Sequence, residues 1–278
     1  MTEALLNNTI NLLARADASR KLANGKLKVE TKSAFGQYMT PASTAAFMAS
    51  LFPQPIQNQI ILLDPGAGVG SLTSAFVARI SKHTPLCNID VDAWEIDPVM
   101  HPYLEKNLAL CGSMARQHGS RFSWRILCED FILESAKNIL TADSLWAEQT
   151  KNYTHCIMNP PYKKIPSDSR HRSSLRSVGI ETVNLYSAFV ALSLSLLKPG
   201  GHLVAIIPRS FCNGSYYRPF REFVFKHSAI RHLHLFAARD KAFREDSVLQ
   251  ENIIIMLEKA GQPRKVTIST STDDTFSD

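Results

Sequence analysis

The chain has 278 residues, 45% of them hydrophobic and 20% charged, which is enough to bury an ordinary core and excludes global disorder. Its formal charge of +6 suits a phosphate-bearing partner without establishing one. The N-terminus lacks the apolar stretch of a signal peptide, and no run reaches the roughly 18 apolar residues of a membrane span, so a soluble, cytoplasmic protein is expected.

Residues 3–23 carry Leu5, Leu6, Ile10, Leu13 and Leu22 at helical spacing, and Asn24-Gly25 ends that helix before a basic linker to Lys32. Strands are expected at 59–64, 89–95, 124–128, 154–158 and 202–207, with helices at 71–82, 98–112 and 184–197. This alternation predicts an α/β fold with a doubly wound, mostly parallel sheet. Two more strands, 230–236 and 251–258, have little helix between them and suit an antiparallel edge, giving seven strands. The domain expected is 33–260, with 1–32 as N-terminal helix and linker and 261–278 as a polar, frayed tail. Cys87, Cys111, Cys128, Cys156 and Cys212 form no C-x-x-C pair, which predicts reduced thiols and no metal centre.

The chemistry-bearing residues fall at the strand ends. Asp64 closes the first strand and leads into Gly66, Gly68 and Gly70, a turn that lets backbone approach a ligand closely. Glu95 ends the second strand, where a carboxylate accepts from both hydroxyls of a ribose; Ile96 lies beside it, and Asp97 is expected to cap the next helix. Asp130 ends the third strand, placed to accept from an adenine amino group, with Phe131 against the ring. A lone glycine turn could equally serve a dinucleotide, or no ligand at all. The three acidic strand ends in succession favour a nucleoside-bearing cofactor.

The fourth strand runs into Asn159-Pro160-Pro161-Tyr162. Two prolines hold the backbone extended, so the Asn159 amide oxygen and the Pro160 carbonyl become fixed acceptors for one planar amine. Accepting both amine hydrogens returns lone-pair density to the nitrogen for attack on a methyl sulfonium, while the Tyr162 ring can stack on the base. Asn159 stands at the border of the two ligands and is expected to touch both.

In this respect the chain resembles the amino-methyltransferases of nucleic acids, and more closely the γ-class DNA adenine-N6 methyltransferases of restriction–modification systems. The resemblance rests on motif order: Phe35-Gly-Gln-Tyr-Met-Thr-Pro41, then Asp64–Gly70, Glu95, Cys128–Phe131, Asn159–Tyr162, Asn184-Leu-Tyr186 and Lys198-Pro-Gly-Gly201. It covers roughly residues 33–258. It implies S-adenosyl-L-methionine as cofactor, with Tyr38, Thr40 and Pro41 against its methionine part, Gly66 and Gly68 touching it through backbone, and Glu95 on the ribose. It implies double-stranded DNA as partner and a flipped adenine as substrate. Members of that class carry a target-recognition domain after the catalytic one. None is expected within these 278 residues, so site choice would lie in further chain or in a specificity subunit.

Lys163, Lys164, Arg170, Arg172 and Arg176 follow the tetrad in a polar segment read as a loop that meets DNA phosphates. Tyr216-Tyr217-Arg218 and Arg221 form a second basic, aromatic group, read equally well as a helix with exposed arginines. The tetrad alone also accommodates a protein glutamine, an RNA adenine or a cytosine amine. A non-catalytic cofactor- or DNA-binding subunit is a further alternative.

Overall fold

The computed structural model describes residues 3–26, 39–55, 58–141, 152–236, 251–273 and 276. Within these, β1 (Gln59–Pro65), β2 (Asn88–Trp94), β3 (Phe122–Leu127), β4 (Tyr153–Met158), β5 (Leu197–Pro208), β6 (Ser228–Phe236), β7 (Asn252–Lys259) and β8 (Thr267–Ser271) form one sheet. Its order is β3-β2-β1-β4-β5-β7-β6-β8. β7 runs antiparallel to both β5 and β6, as expected for the two late strands, and the other pairings are parallel. The sheet has eight strands rather than seven, because β8 pairs with β6 inside the segment expected to be a frayed tail. That segment is polar because an edge strand has one side open to water.

The central strands read as continuous apolar runs because both faces are covered. Successive residues point to opposite sides, and the packing follows that alternation. Leu62, Ile157, Val204 and Ile254 enter one cluster, with side chains from α2 (Ala42–Ser50), α3 (Ser71–His83) and α4 (His101–Gln117). Their neighbours Leu63, Met158, Leu203 and Ile255 enter the other, with α5 (Phe131–Thr141), α7 (Leu185–Leu196) and α8 (Arg218–His227). Each fully buried Leu or Ile contributes about 1.5–3 kcal/mol to holding the layers together.

α1 (Glu3–Lys26) packs on this body rather than leading away from it. Its Ser19 hydroxyl donates to the Asn107 Oδ1 on α4, and the Asn107 Nδ2 donates to the Val69 carbonyl at 2.7 Å, so α1 braces the glycine turn from behind. The segment after the tetrad is not one polar loop: it contains α6 (Arg170–Ser177), capped by the Ser169 hydroxyl accepting from the Arg172 N–H.

The chain winds outward from β1 through β2 to β3, then crosses to β4 and β5 on the other side. The reversal leaves a crevice at the carboxyl ends of β1 and β4, where doubly wound sheets hold ligands.

Candidate active site

A cavity of about 370 Å³ opens at that crevice, within the range of small-molecule sites. Its walls include Gly66, Ala67 and Gly68 from the turn after β1, Glu95 and Ile96 after β2, Asp130 and Phe131 after β3, and Asn159 and Pro161 after β4. Four strand ends therefore deliver their motifs to one volume.

The glycine turn is stitched to the end of β2. Gly66 and Ala67 donate to the Trp94 carbonyl at 2.8 and 2.9 Å. Gly68 has φ +55 with open space where a Cβ would be, so a side chain there would be strained and would stand in the cavity. Gly70 has φ +81, and a Cβ would fall 2.9 Å from Leu104. The Gly68 N–H donates to Glu95 Oε2 at 2.7 Å, and the Asp97 N–H donates to Glu95 Oε1 at 2.8 Å. Glu95 is thus aimed by two backbone bonds. Burial pushes its carboxyl above the usual carboxylate range, opposed by those same bonds. Asp97 accepts from the Val99 N–H at 2.9 Å in the turn before α4, whose N-cap is Met100 without a side-chain bond, so the helix cap expected of Asp97 is not made.

Asp64 differs from its expected place. It is fully buried beneath the turn, off the cavity wall, where Oδ2 accepts from the Thr73 hydroxyl at 2.6 Å. Burial, with Glu95 nearby, raises its carboxyl to about 7. It supports the turn instead of touching a ligand. Thr40 lines the cavity, whereas Pro41 sits at the N-cap of α2 and is not part of the wall. Tyr38 lies outside the described residues.

In the tetrad, Asn159 Nδ2 donates to Thr40 Oγ1 at 3.1 Å, and Asn159 Oδ1 accepts from the Tyr162 hydroxyl at 3.0 Å. The amide is thereby oriented, its oxygen toward Tyr162 and its nitrogen toward Thr40. Tyr162 is half-buried and packs against both core clusters, with its ring edge-on to Tyr186. It and the buried Pro160 are not among the cavity walls. The expected base-stacking face of Tyr162 is therefore turned into the protein here, and the apolar walls are Pro161, Ile165, Leu185 and Phe189.

The basic residues separate into two sets. Lys163 and Lys164 are exposed at the cavity mouth, and Arg170 is exposed in the first turn of α6. Arg172 is buried, donating to the Thr182 carbonyl and pairing with Glu181, and Arg176 pairs with Glu181 at 2.9 Å. Arg172 fastens α6 to the chain leading to α7, in place of the DNA contact expected of it, while Arg176 stays exposed beside Glu181.

Several wall residues escaped the sequence reading as site residues, Ile165, Leu185 and Phe189 among them, and His171 was read only as one more basic group after the tetrad. His171 lies within the basic segment, and its Nε2 is 2.7 Å from Asp130 Oδ2. Helical spacing from the Ser169 cap would have turned it away from Arg170, and that was the available signal. No group of His, Cys, Asp and Glu able to hold a metal occurs among the described residues. None of their helices is long and apolar enough to cross a membrane.

Residues 98–243 match the family described as Eco57I restriction-modification methylase. The chain is 48% identical to the Type II methyltransferase M.BsuBI of Bacillus subtilis over 96% of its own length and 52% of that protein. It is 41% identical to the Type II methyltransferase M.PstI of Providencia stuartii over 98% of itself and 52% of that protein. The chain thus spans about half the length of the curated relatives it matches. The fold is similar to that of a class I S-adenosylmethionine-dependent methyltransferase structure from Listeria monocytogenes (TM-score 0.66, 16% identity, 93% of this chain and 71% of that one). A type I restriction–modification system structure is equally close in fold (TM-score 0.66, 15% identity, 91% of this chain and 47% of that one). The chain belongs to the Eco57I restriction-modification methylase family.

Proposed function

We propose that this chain is the catalytic part of a site-specific DNA methyltransferase that moves a methyl group from S-adenosyl-L-methionine to the N6 amine of a flipped adenine. The observation that carries the reading is that Asn159 shares one cavity wall with Glu95 and the glycine turn. A methyl acceptor held by Asn159 would meet a cofactor held by Glu95 without either leaving its strand end.

The residues present fit S-adenosylmethionine. Glu95 is a preset acceptor for ribose hydroxyls, Asp130 for the adenine amine, and the open face of Gly68 admits the ligand against backbone. When bound, this cofactor supplies an electrophilic methyl on a sulfonium. The chain supplies the rest: Asn159 Oδ1 accepts an amine hydrogen and keeps the nitrogen lone pair directed at the methyl, and the Pro160 carbonyl, buried behind the wall, would take the second hydrogen only once exposed to the cavity. Pro161, Ile165 and Phe189 offer apolar surface to a planar base and exclude water.

Lys163, Lys164 and Arg170 support nucleic acid over a protein glutamine as the acceptor, since exposed cations at the mouth would meet phosphates first. Site choice belongs to further chain or a separate specificity subunit, a reading supported by relatives about twice as long. The product would protect host DNA in the cytoplasm from a cognate endonuclease. Titration with S-adenosylhomocysteine, followed by labelled-methyl transfer to duplex DNA, tests the reading: binding and transfer are expected, with transfer lost in Asn159→Ala.

A further inference from the structure

We infer that His171 is a positioning residue for the cofactor's adenine, acting through Asp130. This rests on the proposed function, which assigns the cavity to S-adenosylmethionine.

Asp130 Oδ1 accepts from the Leu133 N–H at 3.0 Å at the start of α5. Asp130 Oδ2 receives His171 Nε2 at 2.7 Å from α6, an element entering from the far side of the tetrad. The carboxylate is ionised and can only accept, so Nε2 carries the hydrogen. Asp130 is part-buried, and burial pushes its carboxyl upward, but the bonds from His171 and Leu133 outweigh this and hold it below the ordinary value. Donors from two helices, the Leu133 and Ile132 N–H groups on α5 and His171 on α6, fix the plane of the carboxyl group. Without His171, the carboxylate keeps only its backbone tethers to α5 and loses more rotational freedom when it meets an adenine amine. A donor that fixes an acceptor in advance removes that loss from binding.

His171 is a cavity wall as well as a tether, and it sits one residue from Arg170, which faces solvent. The next residue, Arg172, is buried and fastened to Thr182 and Glu181, so the His171 backbone is held at a defined height on α6. The contact therefore adds a polar tether between α5 and α6, which also pack together through Ile132 and Leu175 in one apolar cluster.

The test uses two ligands on the full chain: S-adenosylhomocysteine, which has the 6-amino group, and S-inosylhomocysteine, which has an oxygen there. A single charge-assisted bond predicts that His171→Ala weakens S-adenosylhomocysteine about 10-fold. His171→Gln, whose Nε2 can donate to the same oxygen, should come within about 2-fold of wild type. S-inosylhomocysteine should bind wild type and His171→Ala alike, because its 6-position presents Asp130 with an acceptor oxygen in place of the amino donor. Unchanged S-adenosylhomocysteine binding in His171→Ala, or equal losses for both ligands, would overturn the inference while leaving the proposed function standing. Failure of wild type to bind S-adenosylhomocysteine would overturn both.

Discussion

The Tyr162 hydroxyl lies 3.0 Å from Asn159 Oδ1 and 3.0 Å from the Ile206 carbonyl, so the last residue of the tetrad braces the first against β5. The brace fixes the acceptor on which methyl transfer depends. Tyr162→Phe removes it while keeping the ring. The loss of a neutral hydrogen bond, about 0.5–1.5 kcal/mol, should lower kcat about 2- to 10-fold and leave cofactor affinity unchanged. Steady-state kinetics with saturating cofactor measures this. A larger loss in Tyr162→Ala than in Tyr162→Phe would show the ring contributing as well.

Glu95 offers a second handle. Glutamine has one acceptor oxygen where glutamate has two, so Glu95→Gln must set an amide N–H against the N–H of Gly68 or Asp97. The unmet donor lowers stability in free and bound protein alike, whereas the lost charged acceptor for the ribose hydroxyls, about 1.5–3 kcal/mol, predicts a rise in cofactor Kd of about 10-fold or more. Calorimetric titration reads it directly. Unchanged affinity would remove Glu95 from the ribose site.

The buried Asp64 makes stability depend on pH. Its carboxyl is raised to about 7 in the folded protein, so between the ordinary carboxylate range and neutrality the native state holds a proton that the unfolded chain has released. Stability from this group is therefore present at low pH and declines as pH rises toward 7, by at most about 1.4 kcal/mol per pH unit. Asn at this position keeps an acceptor for Thr73 and carries no proton to lose. Denaturant melts from pH 4.5 to 8 should show the difference between wild type and Asp64→Asn growing with pH, then levelling. A constant difference would mean that Asp64 is ionised in the fold throughout.

The basic residues should divide by measurement as they divide in space. Lys163→Ala and Lys164→Ala should each weaken DNA binding and reduce the salt slope by about 1, for whatever DNA sequence is offered. Arg172→Ala should instead lower stability by about 1–3 kcal/mol, because it strips buried bonds to Thr182 and Glu181. Fluorescence anisotropy across a salt series, paired with thermal melts, separates the two. Arg172→Ala weakening DNA binding with unchanged stability would reverse the assignment.

What was legible in the sequence follows from what each signal encodes. Strand ends were readable because β1, β2 and β4 are short runs with apolar residues at strand spacing, closed by Asp64, Glu95 and Asn159, and the sheet topology then brings those closures together. The depth of a side chain below a turn is not encoded in spacing. Asp64 and Glu95 both end strands, yet one is held by Thr73 under the turn and the other faces the cavity. Arg170 and Arg172 are two residues apart and equally basic, but α6 turns one to water and the other to Glu181. α6 was missed because its helical signal is a short polar repeat after a Ser cap, with Leu175 the one buried apolar side chain in it. β8 was missed because an edge strand rich in threonine and serine looks like tail.

The central claim is that this cavity methylates an adenine amine in DNA. The most direct measurement is nucleoside analysis of duplex DNA incubated with labelled S-adenosylmethionine and the chain joined to the additional length found in its relatives. The account predicts label in N6-methyladenine, and none when Asn159→Ala replaces wild type. Label in N4-methylcytosine, label in protein glutamine with none in DNA, or equal inactivity of wild type and variant would contradict it.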